Sequence, residues 1–262
     1  MFSTEERCIY NNNQLAEVIC QLRFPEILAI NANIPVDFQE AIRAEYPRYS
    51  VKKESAPHLV SGAPGNLSIE HQPATPNYQF VSSDGFWRIN LTSKFISLSC
   101  TKYKSWEEYA NHFDNPLTAF IKIYNPAYFE RVGLRYLNFI SRQCLGLNET
   151  PFSELIQPQY LGILSDEEIS ENTASRSSVD AEVAIRGGCR VKLHAGPGMV
   201  KVNGQSDNEI KYIFDHDLFM SGNVPINYSA GALQTLHSQA YPLFRGAITD
   251  ILHNAMNPEP IE

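Results

Sequence analysis

Alternation of apolar and polar residues at the start of the chain predicts a β-strand. Residues 14–24 form the predicted element, and from Ala16 to Phe24 the apolar side chains fall on even positions and the polar ones on odd positions, with Ile19 as the exception. A period of two is typical of a strand that buries one face. Pro25 ends the pattern.

The rest of the first half is predicted to contain a short helix, a long loop and a three-stranded meander. A helix is expected between Pro35 and Pro47, over residues 36–46. Residues 50–76 are rich in Pro, Ser, Gly and His and predict a long loop that holds one strand over residues 67–71. The meander strands are expected at residues 78–82, 87–92 and 95–103, with turns at Asp84-Gly85 and Ser93-Lys94.

A long amphipathic helix follows the meander. Ser105 and Glu108 form a capping box, and the apolar residues after them recur at a spacing of three and four. Pro116 is expected to kink or split this helix, and Asn125-Pro126 to stop it.

The second half predicts a similar order of elements. The expected elements are a strand over residues 128–141, a short helix over 151–156, mobile polar surface over 158–177, and strands over 179–186, 189–194, 199–202 and 209–219. Gly196-Pro197-Gly198 is interpreted as a hairpin turn. A final long helix is expected from about Ala230 to Asn257-Pro258, with Pro242 inside it.

The repeated order predicts an α+β fold, an antiparallel curved sheet backed by two long helices. Residues 1–126 and 127–262 would be its halves, packed as one compact unit. The order suggests an internal duplication of a β-α-β(n)-α unit, and Leu22-Arg23-Phe24 matches Leu134-Arg135-Tyr136. The layout is that of the TATA-binding-protein fold, with paired helix-grip units as the alternative. Fold alone does not assign function.

Composition places the chain among globular cytoplasmic proteins. It is 43% hydrophobic and 19% charged, with a net charge of -8. An acidic chain disfavours general nucleic-acid binding but leaves a local basic patch open. The five cysteines lack a CxxC pair and predict free thiols in a reducing compartment. Neither a signal peptide nor an apolar run long enough for a membrane helix occurs, so no membrane association is expected.

Catalytic and cofactor motifs are missing from the sequence. It contains no phosphate-binding loop, no HExxH and no GxSxG. Asp215-His216-Asp217 is the best metal candidate, but in a strand its two carboxylates share one face and the histidine points to the other. We therefore expect no catalytic residue, no metal and no cofactor.

One set of polar residues is a candidate binding site. Glu17, Gln21 and Arg23 lie opposite the apolar parity of the first strand, as Arg131 and Arg135 do in the second. If these strands are neighbours, the five residues form one polar patch at the centre of the sheet. It would bind a carboxylate or phosphate through arginine forks. The alternative is a solvated face on which Glu17 pairs with an arginine.

Three segments resemble a known family. They are residues 15–24 (LAEVICQLRF), 133–138 (GLRYLN) and 244–250 (FRGAITD). Together they resemble a family of sporadically distributed bacterial proteins of about this length whose function is unknown. The resemblance spans nearly the whole chain and implies no activity, cofactor or catalytic residue. The patchy distribution implies a link to mobile or defence genes.

Three functions remain open at this point. The first is a non-enzymatic interaction module that offers a sheet face to a protein partner or to a second copy of the chain. The second is nucleic-acid binding through a saddle-like sheet, which requires a basic face. The third is a small-ligand binder or an enzyme of unrecognised type, which requires a deep pocket with converging polar groups.

Overall fold

The computed structural model of the 262-residue chain describes residues 1–54, 57–61, 67–71, 75–202 and 205–261. Strands and helices are mixed, and a large antiparallel sheet is backed by helices, which confirms the predicted α+β class. The strands are β1 (Cys8–Tyr10), β2 (Leu15–Arg23), β3 (Arg48–Glu54), β4 (Pro57–Ser61), β5 (Leu67–His71), β6 (Thr75–Val81), β7 (Trp87–Leu91), β8 (Phe95–Cys100), β9 (Phe129–Ile140), β10 (Val179–Ala184), β11 (Arg190–Val202), β12 (Gln205–Val224) and β13 (Pro258–Pro260). The helices are α1 (Leu28–Ala32), α2 (Val36–Ile42), α3 (Trp106–Tyr124), α4 (Arg142–Leu145), α5 (Phe152–Leu155), α6 (Pro158–Leu161), α7 (Ser229–Arg245) and α8 (Asp250–Ala255).

Nine strands form one sheet in the order β10-β11-β12-β9-β2-β8-β7-β6-β3, and all its neighbouring strands are antiparallel. The first long strands of the two predicted halves, β2 and β9, lie side by side at the centre. On each side the last strand of the half, β8 or β12, comes next. This order fits two similarly ordered halves, and the duplication itself stays a prediction.

Strict alternation gives the sheet one apolar and one polar face. In β2, the side chains of Val18, Cys20 and Leu22 are fully buried on the apolar face. Helix α3 is tied to this face by Tyr109, whose hydroxyl donates to the Leu98 carbonyl at 2.7 Å and accepts the Cys20 N–H at 2.8 Å. The face on the other side carries Arg23 and is called the polar face below.

Helix α3 is continuous through Pro116, so the helix is not split there, and the alternative of a kink stays a prediction. A proline lacks the N–H that would bond the carbonyl four residues earlier, which here belongs to His112. The Tyr46 hydroxyl donates to that carbonyl at 2.8 Å and replaces the missing bond. The predicted start at Ser105 and the stop are confirmed: the Ser105 side chain accepts the Glu108 N–H, and Asn125 has a left-handed backbone with φ of 45°. The reciprocal half of the capping box is not seen, because Glu108 Oε2 has no hydrogen-bond partner in the described part of the chain.

The prediction of a long loop over residues 50–76 is wrong for the part of this segment that the structure describes, which forms strands. Strand β3 pairs with β6, and β4 pairs with β5, which contains the strand predicted at residues 67–71. The remaining parts of the predicted loop, residues 55–56, 62–66 and 72–74, lie outside the described residues. The helix expected over residues 36–46 ends at Ile42 and is preceded by the short helix α1.

The predicted turn at Gly196-Pro197-Gly198 is also wrong. Strand β11 runs through it, and Pro197 is directly opposite Tyr212 of β12. Strand β10 pairs with β11 only as far as Ala195, so no strand of the described chain lies beside Pro197 on that edge of the sheet. The backbone N–H that Pro197 lacks is therefore not needed there. Residues 196–202 are therefore an edge segment in which a proline is tolerated.

Two further helical expectations need correction. The segment predicted as mobile surface, residues 158–177, begins with α6 and a 3-10 turn, and Tyr160, Leu161 and Leu164 are buried there. The final helix is split into α7 and α8. The backbone between them forms hydrogen bonds with the segment around α5 and cannot continue the helix. Gln157 N–H donates to the Ala247 carbonyl and Thr249 N–H to the Leu155 carbonyl, both at 2.9 Å.

All five cysteines are free thiols, as predicted. Among the helices of the described chain, none is long and apolar enough to cross a membrane.

Candidate functional site

The five residues predicted as a binding patch lie together on the polar face. Strands β2 and β9 are paired, with Arg23 directly opposite Arg131 and Gln21 opposite Gly133. Arg135 is opposite Ile19, two residues from Glu17 along the strand. The predicted juxtaposition of the first strands is therefore observed, and binding by these residues stays a prediction.

Two of the arginines are engaged by aspartates of β12. Arg131 donates to both carboxylate oxygens of Asp217, at 2.6 and 2.7 Å. Arg135 donates from Nε to Asp215 at 2.6 Å and from Nη2 to the other oxygen of the same carboxylate. The hydrogen bond that Arg135 donates to Asp215 is the main cause that raises the pKa of the guanidinium. The cross-strand partners are thus the two aspartates, whereas Glu17 was expected.

Arg131 lies flat against the sheet, while Arg23 extends into solvent. The Arg131 guanidinium lies 4.4 Å from the centre of the Phe219 ring and directly above the backbone of Gly133. The Arg23 side chain forms no hydrogen bond or ion pair with the residues that the structure describes. Among the three arginines, Arg23 therefore retains the freest guanidinium for a partner.

A cavity of about 100 Å³ lies on the opposite, apolar side of the central strands. Its walls come from β9, β12, α7, the segment before β2 and the N-terminal strand β1. The lining residues are Arg7, Cys8, Ile9, Tyr10, Asn13, Gln14, Leu15, Tyr103, Lys104, Tyr136, Asn138, His216, His237, Ala240, Tyr241, Phe244 and Met256.

Two buried histidines line this cavity, and both are short of hydrogen-bond partners. His216 is 2% exposed and His237 is 6% exposed. The Nε2 atom of each ring is buried without a hydrogen-bond partner in the described part of the protein. Burial lowers the pKa of both imidazoles to about 4, so both rings are uncharged at neutral pH.

His237 is held in place by two neighbours, one of which is fixed by a third residue. Its Nδ1 atom forms a 2.9 Å hydrogen bond with the Tyr136 hydroxyl. Its ring stacks on Trp106, with centroids 4.4 Å apart and planes 7° from parallel. Trp106 is fixed in turn by a 2.7 Å bond from its Nε1 to Gln234. Because Nδ1 is occupied, Nε2 is the polar atom that this ring can offer to a ligand.

The N-terminal strand closes one side of the cavity. The Tyr10 hydroxyl is 2.9 Å from His253 Nδ1, and the Cys8 sulfur is 3.4 Å from the Tyr241 hydroxyl. β1 pairs with β13, in which Pro258 and Pro260 are opposite Tyr10 and Cys8. Prolines cannot donate to a ladder, so side-chain contacts carry much of the attachment of this strand.

The sequence did not reveal this cavity. Alternation correctly placed His216 on the face opposite Asp215 and Asp217, but that placement was used only to reject a metal site. No local spacing connects Tyr136 with His216, which become direct neighbours through the register of β9 and β12. Over the described residues, no group of three or more His, Cys, Asp or Glu side chains is arranged to hold a metal ion.

Comparison with known proteins gives no assignment: no family model matches the chain, and no curated protein matches it.

Proposed function

We propose that the protein binds a small organic molecule in the cavity between β9, β12 and α7. The observation that carries this proposal is that two histidines which line the cavity, His216 and His237, each have a buried Nε2 atom with no hydrogen-bond partner among the described residues. A buried polar group without a hydrogen bond costs about 1–3 kcal/mol. A ligand that supplies the missing partners would recover that free energy on binding.

Binding is favoured over catalysis by the protonation states of the lining groups. A general base works best when its pKa is near the working pH. Burial holds the pKa of both histidines near 4, far below neutrality. Burial likewise raises the pKa of Tyr103 to about 12 and that of Tyr136 well above its ordinary value. These groups are suited to hydrogen bonding and poorly suited to proton transfer at neutral pH.

The test is a pair of variants that make the same chemical change inside and outside the cavity. His216→Phe removes the unpartnered nitrogen and keeps a ring next to Phe214, whose ring centre is 5.5 Å away. We expect this variant to be more stable than the parent without ligand, by about 1 kcal/mol, and to lose ligand binding. His194→Phe makes the same change at a partly exposed position of β11 on the polar face, where His194 contacts Asp180 at 2.7 Å, and should leave binding intact.

The readouts are urea unfolding for stability and ligand-observed NMR with a library of single-ring fragments for binding. The proposal fails if no fragment binds the parent protein. It also fails if the fragments that bind the parent bind His216→Phe equally well.

A second candidate function is self-association through the polar face, which would make the protein an interaction module. The distribution of charged side chains over the polar face favours self-association. Arg23 and Arg88 are exposed on the N-terminal side of the sheet, whereas Asp180 and Glu182 are exposed on the C-terminal side, where they pair with His194 and Arg190. In a two-fold dimer, the arginines of one copy would meet these carboxylates of the other and compete with their partners in the same chain.

The expected result is a dimer that weakens with salt and is lost when charge is reversed. Arg23→Glu should lower the dimer fraction in analytical ultracentrifugation at low ionic strength. Arg43→Glu reverses an exposed charge after α2, where Arg43 pairs with Glu40 at 3.0 Å, and should leave the dimer unchanged. A parent protein that is monomeric at low salt would exclude this function.

A further inference from the structure

The cavity walls also indicate which class of molecule fits. We infer that the ligand is a small planar organic acid: an apolar ring that carries an uncharged hydrogen-bonding group at one end and an anionic group at the other. This inference rests on the proposed function, because it requires that the cavity is a ligand site.

The inner end of the cavity fits an uncharged group. His216 and Tyr136 are direct cross-strand neighbours on the apolar face, and Tyr136 bonds His237. All three side chains are at least nine-tenths buried. A hydroxyl, carbonyl or amide would give the two Nε2 atoms hydrogen-bond partners. An ionised group at this depth would lose its hydration without gaining a counter-charge.

The middle of the cavity fits a flat apolar body. Its walls include the rings of Tyr10, Tyr103, Tyr241 and Phe244. Tyr10 and Tyr241 are stacked with centroids 6.4 Å apart, and Phe244 meets Tyr10 edge-on at 6.2 Å. Aromatic walls favour planar ligands because offset stacking and edge contacts bring ring surfaces together. The cavity of about 100 Å³ leaves room for one small ring at most, since a cavity of about 150 Å³ takes a single benzene.

The side of the cavity near the N-terminal strand fits an anion. Arg7 and Lys104 are part of the wall, and no Asp or Glu is among the described residues that line it, although the chain has 29 acidic and 21 basic residues. Their ion pairs are long: Arg7 is 3.8 Å from Glu107 and Lys104 is 3.7 Å from Glu108. Both partners are partly or largely exposed, so these pairs are weak and a ligand carboxylate can replace them.

The charge of Arg7 also reaches the cavity interior. It lowers the pKa of Tyr103, Tyr136 and His237, although burial has the larger effect on each. Glu107 opposes Arg7 at Tyr103 and His237, with the smaller effect of the two on each. A cation whose effect prevails at these lining groups is close enough to attract an anion bound among them. By the same argument, the cavity disfavours amines and other cationic ligands.

Three matched probes test the class on the full chain: para-hydroxybenzoate, phenol and tyramine, which share a hydroxylated ring and differ in charge. In calorimetric titrations, we expect para-hydroxybenzoate to bind about tenfold more tightly than phenol, and tyramine to bind most weakly. Arg7→Gln should remove the advantage of the acid over phenol and leave phenol binding unchanged. Arg43→Gln makes the same change at an exposed site outside the cavity and should preserve that advantage.

The outcomes separate the two proposals. If phenol or tyramine binds as tightly as the acid, or if Arg7→Gln keeps the preference for the acid, the inferred ligand class is wrong and the cavity is still a ligand site. If the probes bind the parent and His216→Phe equally, the probes bind elsewhere and both proposals are wrong. If none of the probes binds while other fragments do, only the ligand class is wrong.

Discussion

Gly133 shows how a single residue without a side chain sets the position of an arginine. A Cβ atom at this position would lie 2.9 Å from Arg131 Cζ, which is closer than side chains normally approach. The glycine therefore lets the Arg131 guanidinium lie on the backbone of β9, where it reaches both oxygens of Asp217 and the ring of Phe219. The side chain of Arg131 is only 19% exposed as a result.

We expect Gly133→Ala to destabilise the protein by about 1–3 kcal/mol, because the added methyl displaces the Arg131 guanidinium. The measurement is the free energy of unfolding from urea titration. In an Arg131→Ala background the same substitution should be neutral or stabilising, since alanine is favoured over glycine within a strand. Equal destabilisation in both backgrounds would show that Arg131 is not the cause.

At the scale of elements, regular periodicity made the structure predictable. Strand β2, the meander β6–β8 and helix α3 were expected from alternation or from a stripe of apolar residues, and these elements pack on the main core. Strand β3 could not be predicted in this way, because Tyr49 and Val51 are about half exposed and its pattern is not one of burial. β3 is a strand because its backbone pairs with β6. This pairing depends on the tertiary structure and cannot be seen in the local sequence pattern.

Helix α3 depends on a contact from outside the helix. Because Pro116 provides no N–H, the His112 carbonyl relies on the Tyr46 hydroxyl. We expect Tyr46→Phe to lower the free energy of unfolding by about 1 kcal/mol. In a Pro116→Ala background the loss should shrink, because the alanine N–H can bond the His112 carbonyl. An undiminished loss in that background would mean that Tyr46 stabilises the protein by other contacts.

At the scale of the whole molecule, the sequence predicted one binding site and the structure reveals a second candidate. The patch around Arg131 and Arg135 was expected because it follows from strand parity plus one assumption, that the first strands are neighbours. The cavity requires the register of β9 with β12 and the packing of α7. Tyr136 and His237, which share a hydrogen bond, are 101 positions apart. Periodicity identifies the buried face of each element but does not show which buried polar atoms meet.

The two cavity histidines should make global stability depend on pH in a defined window. In the folded protein, burial lowers the pKa of both to about 4, opposed at His216 by Asp215 and at His237 by Glu107. In the unfolded chain the pKa of histidine is about 6.5. Between these values the unfolded state binds more protons than the folded state, so stability is complete above about pH 6.5 and is lost as the pH falls toward 4. Each buried histidine accounts for up to a few kcal/mol of this loss.

We expect His216→Phe to flatten this dependence, because phenylalanine takes up no proton in either state. Urea unfolding across the window measures the difference between variant and parent, which cancels the contribution of the carboxylates common to both. A ligand that binds the neutral imidazoles should also bind less tightly as the pH approaches 4, since protonation converts Nε2 into a charged donor. Parallel curves for His216→Phe and the parent would mean that His216 is not the buried, uncharged group on which the binding proposal depends.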